Sequence, residues 1–153
     1  MPLWQIYHPE GAYSAEDKKS FSERITKLYQ NIPIPGFYVV VMFHPLPADS
    51  FYVGGEPQTR FVRFRIDQMA RTLNGTTARS WWMRLVEEVI KPYVSDRGFE
   101  SEVQIAEPPS DLWTMNGLVP PPPESYAEKR WIDENRTSAY SEDEKMPIRR
   151  RAS

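Results

Sequence analysis

The chain has 153 residues and a net charge of -2, and 40% of its residues are hydrophobic. This length and composition suit one domain with a sizeable core, and the near-zero charge excludes a broad attraction to nucleic acid or to an anionic membrane. The absence of cysteine excludes disulfides, thiolate catalysis and Cys-based zinc sites, and two histidines are too few for a His-rich metal site.

The first half of the sequence predicts a strand, a helix and a second strand. Residues 2–8 carry large side chains on both faces and predict a short strand. Residues 14–31 predict a helix, because Ser14 is a good N-cap and an apolar stripe recurs at helical spacing. The stripe consists of Phe21, Ile25, Leu28 and Tyr29. Residues 37–43 are β-branched and aromatic, which predicts an interior strand, commonly a parallel one, with both faces buried.

The second half predicts the same order again. Residues 51–53 could form a short edge strand, and residues 60–66 alternate basic and apolar side chains as a half-buried strand does. Asn74-Gly75 marks a turn, after which Thr76 or Thr77 could cap a second helix. The apolar stripe of that helix is Trp82, Leu85, Val86, Val89, Ile90 and Tyr93. Residues 102–107 form the last predicted strand.

The repeated order predicts the fold and the domain organisation. Two β-α-β units side by side give an α+β fold, with a four-stranded, mainly parallel-paired sheet and two helices on one face. We assign residues 1–119 to this domain. Residues 120–153 are proline-rich and charged, and we expect an arm that packs along a neighbouring subunit through Trp131 and is partly disordered, with a solvated basic end at 149–153.

An oligomer is expected because residues 37–43 offer no polar side to solvent, so a neighbouring subunit would cover the sheet. That apolar run is also the longest in the chain, and it is far shorter than the roughly 20 residues that a membrane-spanning helix needs. The start of the chain lacks the basic and apolar regions of a secretory signal. The sequence therefore predicts a cytoplasmic protein without a membrane or nucleic-acid partner.

Pro2 is the residue with the most chemical meaning. Removal of Met1, which is usual before proline, would leave Pro2 with a free secondary amine that can act as a general base or acid. An α-amino group has an unperturbed pKa of about 7.7–8.0, and apolar burial lowers it because desolvation penalises the cation. The proline ring also holds this nitrogen in one place at the tip of a strand. A start at Met-Pro without any chemical role is the alternative.

The opening Met1-Pro2-Leu3-Trp4-Gln5-Ile6-Tyr7, followed by two β-α-β units, resembles the tautomerase superfamily and most closely its cis-3-chloroacrylic acid dehalogenase group. The resemblance covers residues 2 to about 131. Supporting landmarks in order are residues 51–55, the strand around Phe61, Glu107-Pro108-Pro109 and Asn116-Gly117. The resemblance implies a homotrimer and catalysis by the amino-terminal proline, with neither metal nor cofactor.

The site residues that the resemblance implies match this sequence only in part. Of two family arginines that hold a substrate carboxylate, the second corresponds to Arg71 and the first to Gln68. The positions of the family's histidine, water-activating glutamate and tyrosine correspond to Tyr29, Met115 and Gln104. Tyr29 could donate a hydrogen bond or belong to the core, whereas Met115 cannot act as a base.

These departures lead away from hydrolytic dehalogenation, which needs a carboxylate to activate water. Keto–enol tautomerisation needs one group that moves a proton and a cation that holds the acid, for which Pro2 and Arg71 would suffice. The expected function is a cofactor-independent tautomerase-like enzyme, an isomerase acting on a small α-keto or unsaturated carboxylic acid. The alternatives are a catalytically lapsed trimeric binding or scaffold protein of the same fold, and a hydrolytic dehalogenase or hydratase.

Overall fold

The computed structural model describes residues 1–148 as a four-stranded sheet covered by two long helices, with a small hairpin and a C-terminal helix. The residues at 149–153, including the basic end expected to be solvated, lie outside the described part. In chain order the elements are β1 (Pro2–Pro9), α1 (Ala15–Gln30), β2 (Val40–Leu46), β3 (Tyr52–Val53), β4 (Glu56–Pro57), β5 (Phe61–Gln68), α2 (Gly75–Ile90), β6 (Glu100–Ala106) and α3 (Tyr126–Glu134).

The main sheet has the strand order β2-β1-β5-β6 and confirms the predicted pair of β-α-β units. β1 and β2 are parallel, β5 and β6 are parallel, and the two central strands β1 and β5 are antiparallel. Alternate residues of the central strands, such as Trp4 and Phe64, are fully buried beneath the helices. Within residues 1–148 no helix has both the length and the apolar character needed to cross a membrane.

The helices begin where local chemistry allows. Ser14 caps α1 through a reciprocal pair of hydrogen bonds with Asp17, as its sequence predicts, and the whole predicted stripe of α1 is buried. The predicted cap of α2 is wrong. Asn74 occupies the N-cap position, and Gly75 adopts a φ of +82°, which favours glycine, so Thr76 and Thr77 lie inside the first turn.

The strand predicted at residues 37–43 is displaced and lies at the edge of the sheet. Gly36–Tyr38 form a short 3₁₀ turn, and the strand begins only at Val40. In the described chain β2 pairs with β1 alone, so the interior position is wrong, and Met42 is 47% exposed in the single chain. The aromatic rings of Phe37 and Tyr38 leave the sheet because they pack against the C-terminal segment instead.

Trp131 explains that packing and corrects the expectation of an arm on a neighbouring subunit. It lies on α3, which begins after the N-cap Ser125, and its side chain is fully buried within its own chain. Its ring centroid is 5.9 Å from that of Phe37 and 6.0 Å from that of Tyr140, and its indole nitrogen donates to the carbonyl oxygen of Ser138 at 2.8 Å. The described part of the C-terminal segment is therefore attached to the domain.

We expect Trp131→Ala to lower the free energy of unfolding by about 3–5 kcal/mol, because a fully buried indole leaves a large cavity. Urea unfolding followed by circular dichroism measures this. The control is Tyr126→Ala on the same helix, which removes a half-exposed ring and should cost much less. Equal losses for the two variants would show that α3 is not anchored through Trp131.

Candidate functional site

Pro2 lies at the first position of a central strand, beside a pocket. It is buried, and its backbone is opposite Gln68, the last residue of β5. The pocket is small, with a cavity volume of about 30 Å³, and it is partly open to solvent. We call it the Pro2 pocket. It is lined by Pro2, Tyr29, Ile32, Ile34, Gln68, Met69, Ala70, Arg71, Leu73 and Trp82. The structure therefore brings together Pro2, Tyr29, Gln68 and Arg71, four of the six predicted site residues.

The amino terminus beside this pocket is poorly solvated. Burial, assisted by the positive charge of Arg71, lowers the pKa of the amino group of Met1 to about 4. Pro2 is the next residue and lines the pocket itself. Once Met1 is removed, a Pro2 amine would be exposed to the same two effects, and both favour its neutral, basic form.

A chain of buried hydrogen bonds fixes the orientation of Gln68. The indole nitrogen of Trp4 donates to the hydroxyl of Tyr29 at 2.9 Å, and that hydroxyl donates to Oε1 of Gln68 at 2.7 Å. The indole nitrogen of Trp82 donates to the same Oε1 at 2.8 Å. Because an indole N–H can only donate, the amide oxygen of Gln68 must face the two rings. Within residues 1–148 its amide N–H groups have no hydrogen-bond partner, and Gln68 lines the pocket.

Tyr29 belongs to the buried core, as one of the two interpretations of its sequence position expects. Its hydroxyl accepts from Trp4 and gives its only proton to Gln68, so it has no proton left for a substrate. Burial also raises the pKa of this phenol, which opposes its ionisation. The contacts make Tyr29 a residue that positions Gln68.

Arg71 is held by a carboxylate of the chain itself. Its two terminal nitrogens donate to the two carboxylate oxygens of Glu128, at 2.9 and 3.0 Å, and also to the carbonyl oxygens of Ala70 and Pro33. The side chain of Glu128 is only 3% exposed, and it also accepts the backbone N–H of Glu124 at 2.7 Å. The fork of Arg71 that would clamp a substrate carboxylate is thus already filled.

Two predicted site residues lie elsewhere. Gln104 is on β6, on the sheet face opposite the helices, where Arg63 donates to its amide oxygen at 2.8 Å. The alternation of a strand explains this, since Val103 and Ile105 on either side pack against the core. Met115 forms a tight turn with Leu118 and is not among the residues that line the Pro2 pocket.

Sequence reasoning missed three residues of the site, namely Trp4, Trp82 and Glu128. The sequence correctly predicts Trp4 in a strand and Trp82 in the apolar stripe of a helix. No pattern shows that their N–H groups donate to the hydroxyl of Tyr29 and to the amide oxygen of Gln68. Glu128 did have a signal, because Ser125-x-x-Glu128 is the spacing of a helix N-terminus, and Ser125 does cap α3. No group of three or more His, Asp or Glu side chains in residues 1–148 is arranged to hold a metal ion.

A sheet made of two β-α-β units, with a buried proline at the tip of a central strand, is the architecture of the tautomerase fold. The chain belongs to the tautomerase family whose model is described as "Putative oxalocrotonate tautomerase enzyme", which matches residues 1–136. No protein with a curated description matches the chain significantly.

Solved structures agree with this family. Native RhCC from Rhodococcus jostii RHA1 is 44% identical, with a TM-score of 0.88 over 90% of this chain and 99% of that chain. N1, a member of the cis-3-chloroacrylic acid dehalogenase family, shares the fold at 18% identity and a TM-score of 0.68, over 87% of this chain and 97% of that one. A fused 4-OT, solved as an asymmetric trimer, shares the fold at 18% identity and a TM-score of 0.62, over 76% of this chain and 94% of that chain.

We expect Arg71→Met to lower the free energy of unfolding at pH 7 by about 3–5 kcal/mol, because it leaves the carboxylate of Glu128 buried and unpaired. Urea unfolding measures the loss, and adding Glu128→Gln to the same protein should restore part of it. The control is Arg79→Met, since Arg79 is 64% exposed in a long ion pair with Glu107. If Arg71→Met cost no more than Arg79→Met, the pair would not be the buried interaction described.

Proposed function

We propose that this chain is a cofactor-independent, tautomerase-like enzyme in which the Pro2 amine is the general acid and base. The observation that carries the proposal is the position of Pro2, at the tip of a central strand, in a largely apolar pocket beside the oriented amide of Gln68. Family membership supports it, and so does the lowered pKa of the Met1 amino group next to Pro2.

The proposed reaction moves one proton between an oxygen and a carbon of the substrate. The neutral amine of Pro2 takes the hydroxyl proton of an enol, and the resulting ammonium returns a proton to the α-carbon as the carbonyl forms. The amide N–H groups of Gln68 donate to the oxygen, on which negative charge develops. No atom is gained or lost, and the amine ends as it began. In this mechanism Gln68 binds the substrate, and Tyr29 positions Gln68.

The carboxylic acid expected as substrate meets a competitor in the structure. To be clamped by Arg71, the acid would have to displace Glu128, which holds both terminal nitrogens. Gln104 and Met115 would reach a substrate only if assembly of several copies brought them to the pocket. We therefore base the reaction on Pro2 and Gln68.

We also propose a homotrimer. The fused 4-OT neighbour is itself a trimer, and β2 leaves a sheet edge with the half-exposed Met42 in the described chain. An edge strand with apolar side chains is a surface that association covers. The cytoplasmic location stays a prediction from the sequence.

The occupied Arg71 specifically favours one alternative, a catalytically lapsed binding or scaffold protein of the same fold. A hydrolytic dehalogenase or hydratase has less support, because no Asp or Glu lines the Pro2 pocket to activate water.

The test compares two forms of the full chain that share every side chain from Pro2 onward, one starting at Pro2 and one retaining Met1. In the form that retains Met1 the Pro2 nitrogen is an amide without basicity. Ketonisation of the enols of phenylpyruvate and of its methyl ester, followed by loss of enol absorbance, should be about 10²–10⁴-fold slower in that form.

Intact mass spectrometry assigns the two forms, and circular dichroism and size-exclusion chromatography establish that both fold and assemble alike. Equal rates would exclude Pro2 as the acid and base. The absence of turnover in both forms would favour the lapsed protein.

A further inference from the structure

We propose that the Pro2 pocket takes a neutral, largely apolar carbonyl compound in preference to a carboxylic acid, because Glu128 already neutralises Arg71 and Gln68 offers amide donors suited to one carbonyl oxygen. The inference names the substrate class of the proposed tautomerase site and therefore rests on that function.

The charge of the pocket disfavours an anionic ligand. Arg71 is the one ionised side chain among the ten residues that line the pocket, and its partner Glu128 is almost wholly buried beside it. The pair as a whole carries no net charge. A carboxylate that entered the pocket would thus lose its hydration beside an arginine that is already paired with Glu128, which is costly.

The hydrogen-bond donors of Arg71 and Gln68 suit a carbonyl oxygen better than a carboxylate. Each terminal nitrogen of Arg71 donates to one Glu128 oxygen and to one backbone carbonyl, those of Ala70 and Pro33, which leaves only its Nε–H without a partner in residues 1–148. An anionic carboxylate needs several donors when it is removed from water, whereas a carbonyl oxygen needs one or two. The amide of Gln68, oriented by Tyr29 and Trp82, can supply that smaller number.

The walls of the pocket are mostly apolar. Apart from the groups already described, the pocket is formed by aliphatic and thioether side chains and by an indole ring. These are Ile32, Ile34, Met69, Ala70, Leu73 and Trp82. Such walls stabilise the hydrocarbon or aromatic part of a ligand by removing apolar surface from water.

An acid would reach the terminal nitrogens of Arg71 only by exchange with Glu128. The displaced carboxylate of Glu128 would lose its two hydrogen bonds from Arg71. Its side chain is only 3% exposed, and the one other hydrogen bond described for that carboxylate comes from the backbone N–H of Glu124. Two anions would then share one guanidinium in a poorly solvated region. The structure favours the occupied ion pair and a neutral ligand.

The wild-type protein with a free Pro2 tests this with two substrates that differ in one group, the enols of phenylpyruvate and of its methyl ester. We expect kcat/KM for the ester to exceed that for the acid by about tenfold or more. A ratio of one or less would overturn the inference and leave the proposed function standing. No turnover of either substrate, together with no binding of either keto form by calorimetry, would overturn both.

A variant tests the cause. Glu128→Gln removes the internal anion, so the ester-to-acid ratio should fall by about tenfold as Arg71 becomes an uncompensated cation. The matched control is Asp133→Asn on the same helix, where the carboxylate is 58% exposed and pairs with Lys129. It should leave the ratio unchanged. A folded Glu128→Gln protein with the wild-type ratio would contradict the role of Glu128, and if that variant failed to fold the wild-type comparison would still decide.

Discussion

The amide oxygen of Gln68 is the point at which the two halves of the fold are joined. It accepts hydrogen bonds from Tyr29 of α1 and Trp82 of α2, and Tyr29 in turn accepts from Trp4 of β1. Two strands and both long helices therefore share one network in the core. Each of the three ring donors, namely the two indole N–H groups and the phenol O–H, has one acceptor, so the network permits one arrangement of the rings. The orientation of the Gln68 amide follows from that arrangement.

The ion pair between Arg71 and Glu128 connects the same pocket to the C-terminal segment. Glu128 lies on α3, which is anchored to the domain by Trp131, and its carboxylate meets the one cationic side chain of the pocket. The helix α3, which lies outside the two β-α-β units, thus supplies the carboxylate that pairs with the arginine of the Pro2 pocket. The proposed substrate preference is for that reason linked to the C-terminal helix.

The sequence predicted the fold well, because periodicity and capping are local properties. The stripe of α1, the alternation of β5 and the order of two β-α-β units followed from spacing, whereas the antiparallel pairing of β1 with β5 did not. The failures involve partners distant in sequence. Phe37 and Tyr38 have the composition of a strand but pack on Trp131, about 94 residues away, and Arg71 has the place of a ligand-binding residue but binds Glu128. Periodicity cannot show such pairs, because nothing local distinguishes a free guanidinium from a paired one.

The proposed role of Pro2 as acid and base requires a desolvated amine, and a direct titration of that nitrogen measures its pKa. In the protein that starts at Pro2 and is labelled with ¹⁵N-proline, the chemical shift of the amino-terminal nitrogen should report a pKa well below the usual 7.7–8.0, because burial and the positive end of the Arg71–Glu128 pair both disfavour the ammonium. A pKa at or above 8 would show that the nitrogen is solvated, and it would contradict the assignment of Pro2 as a base working at neutral pH.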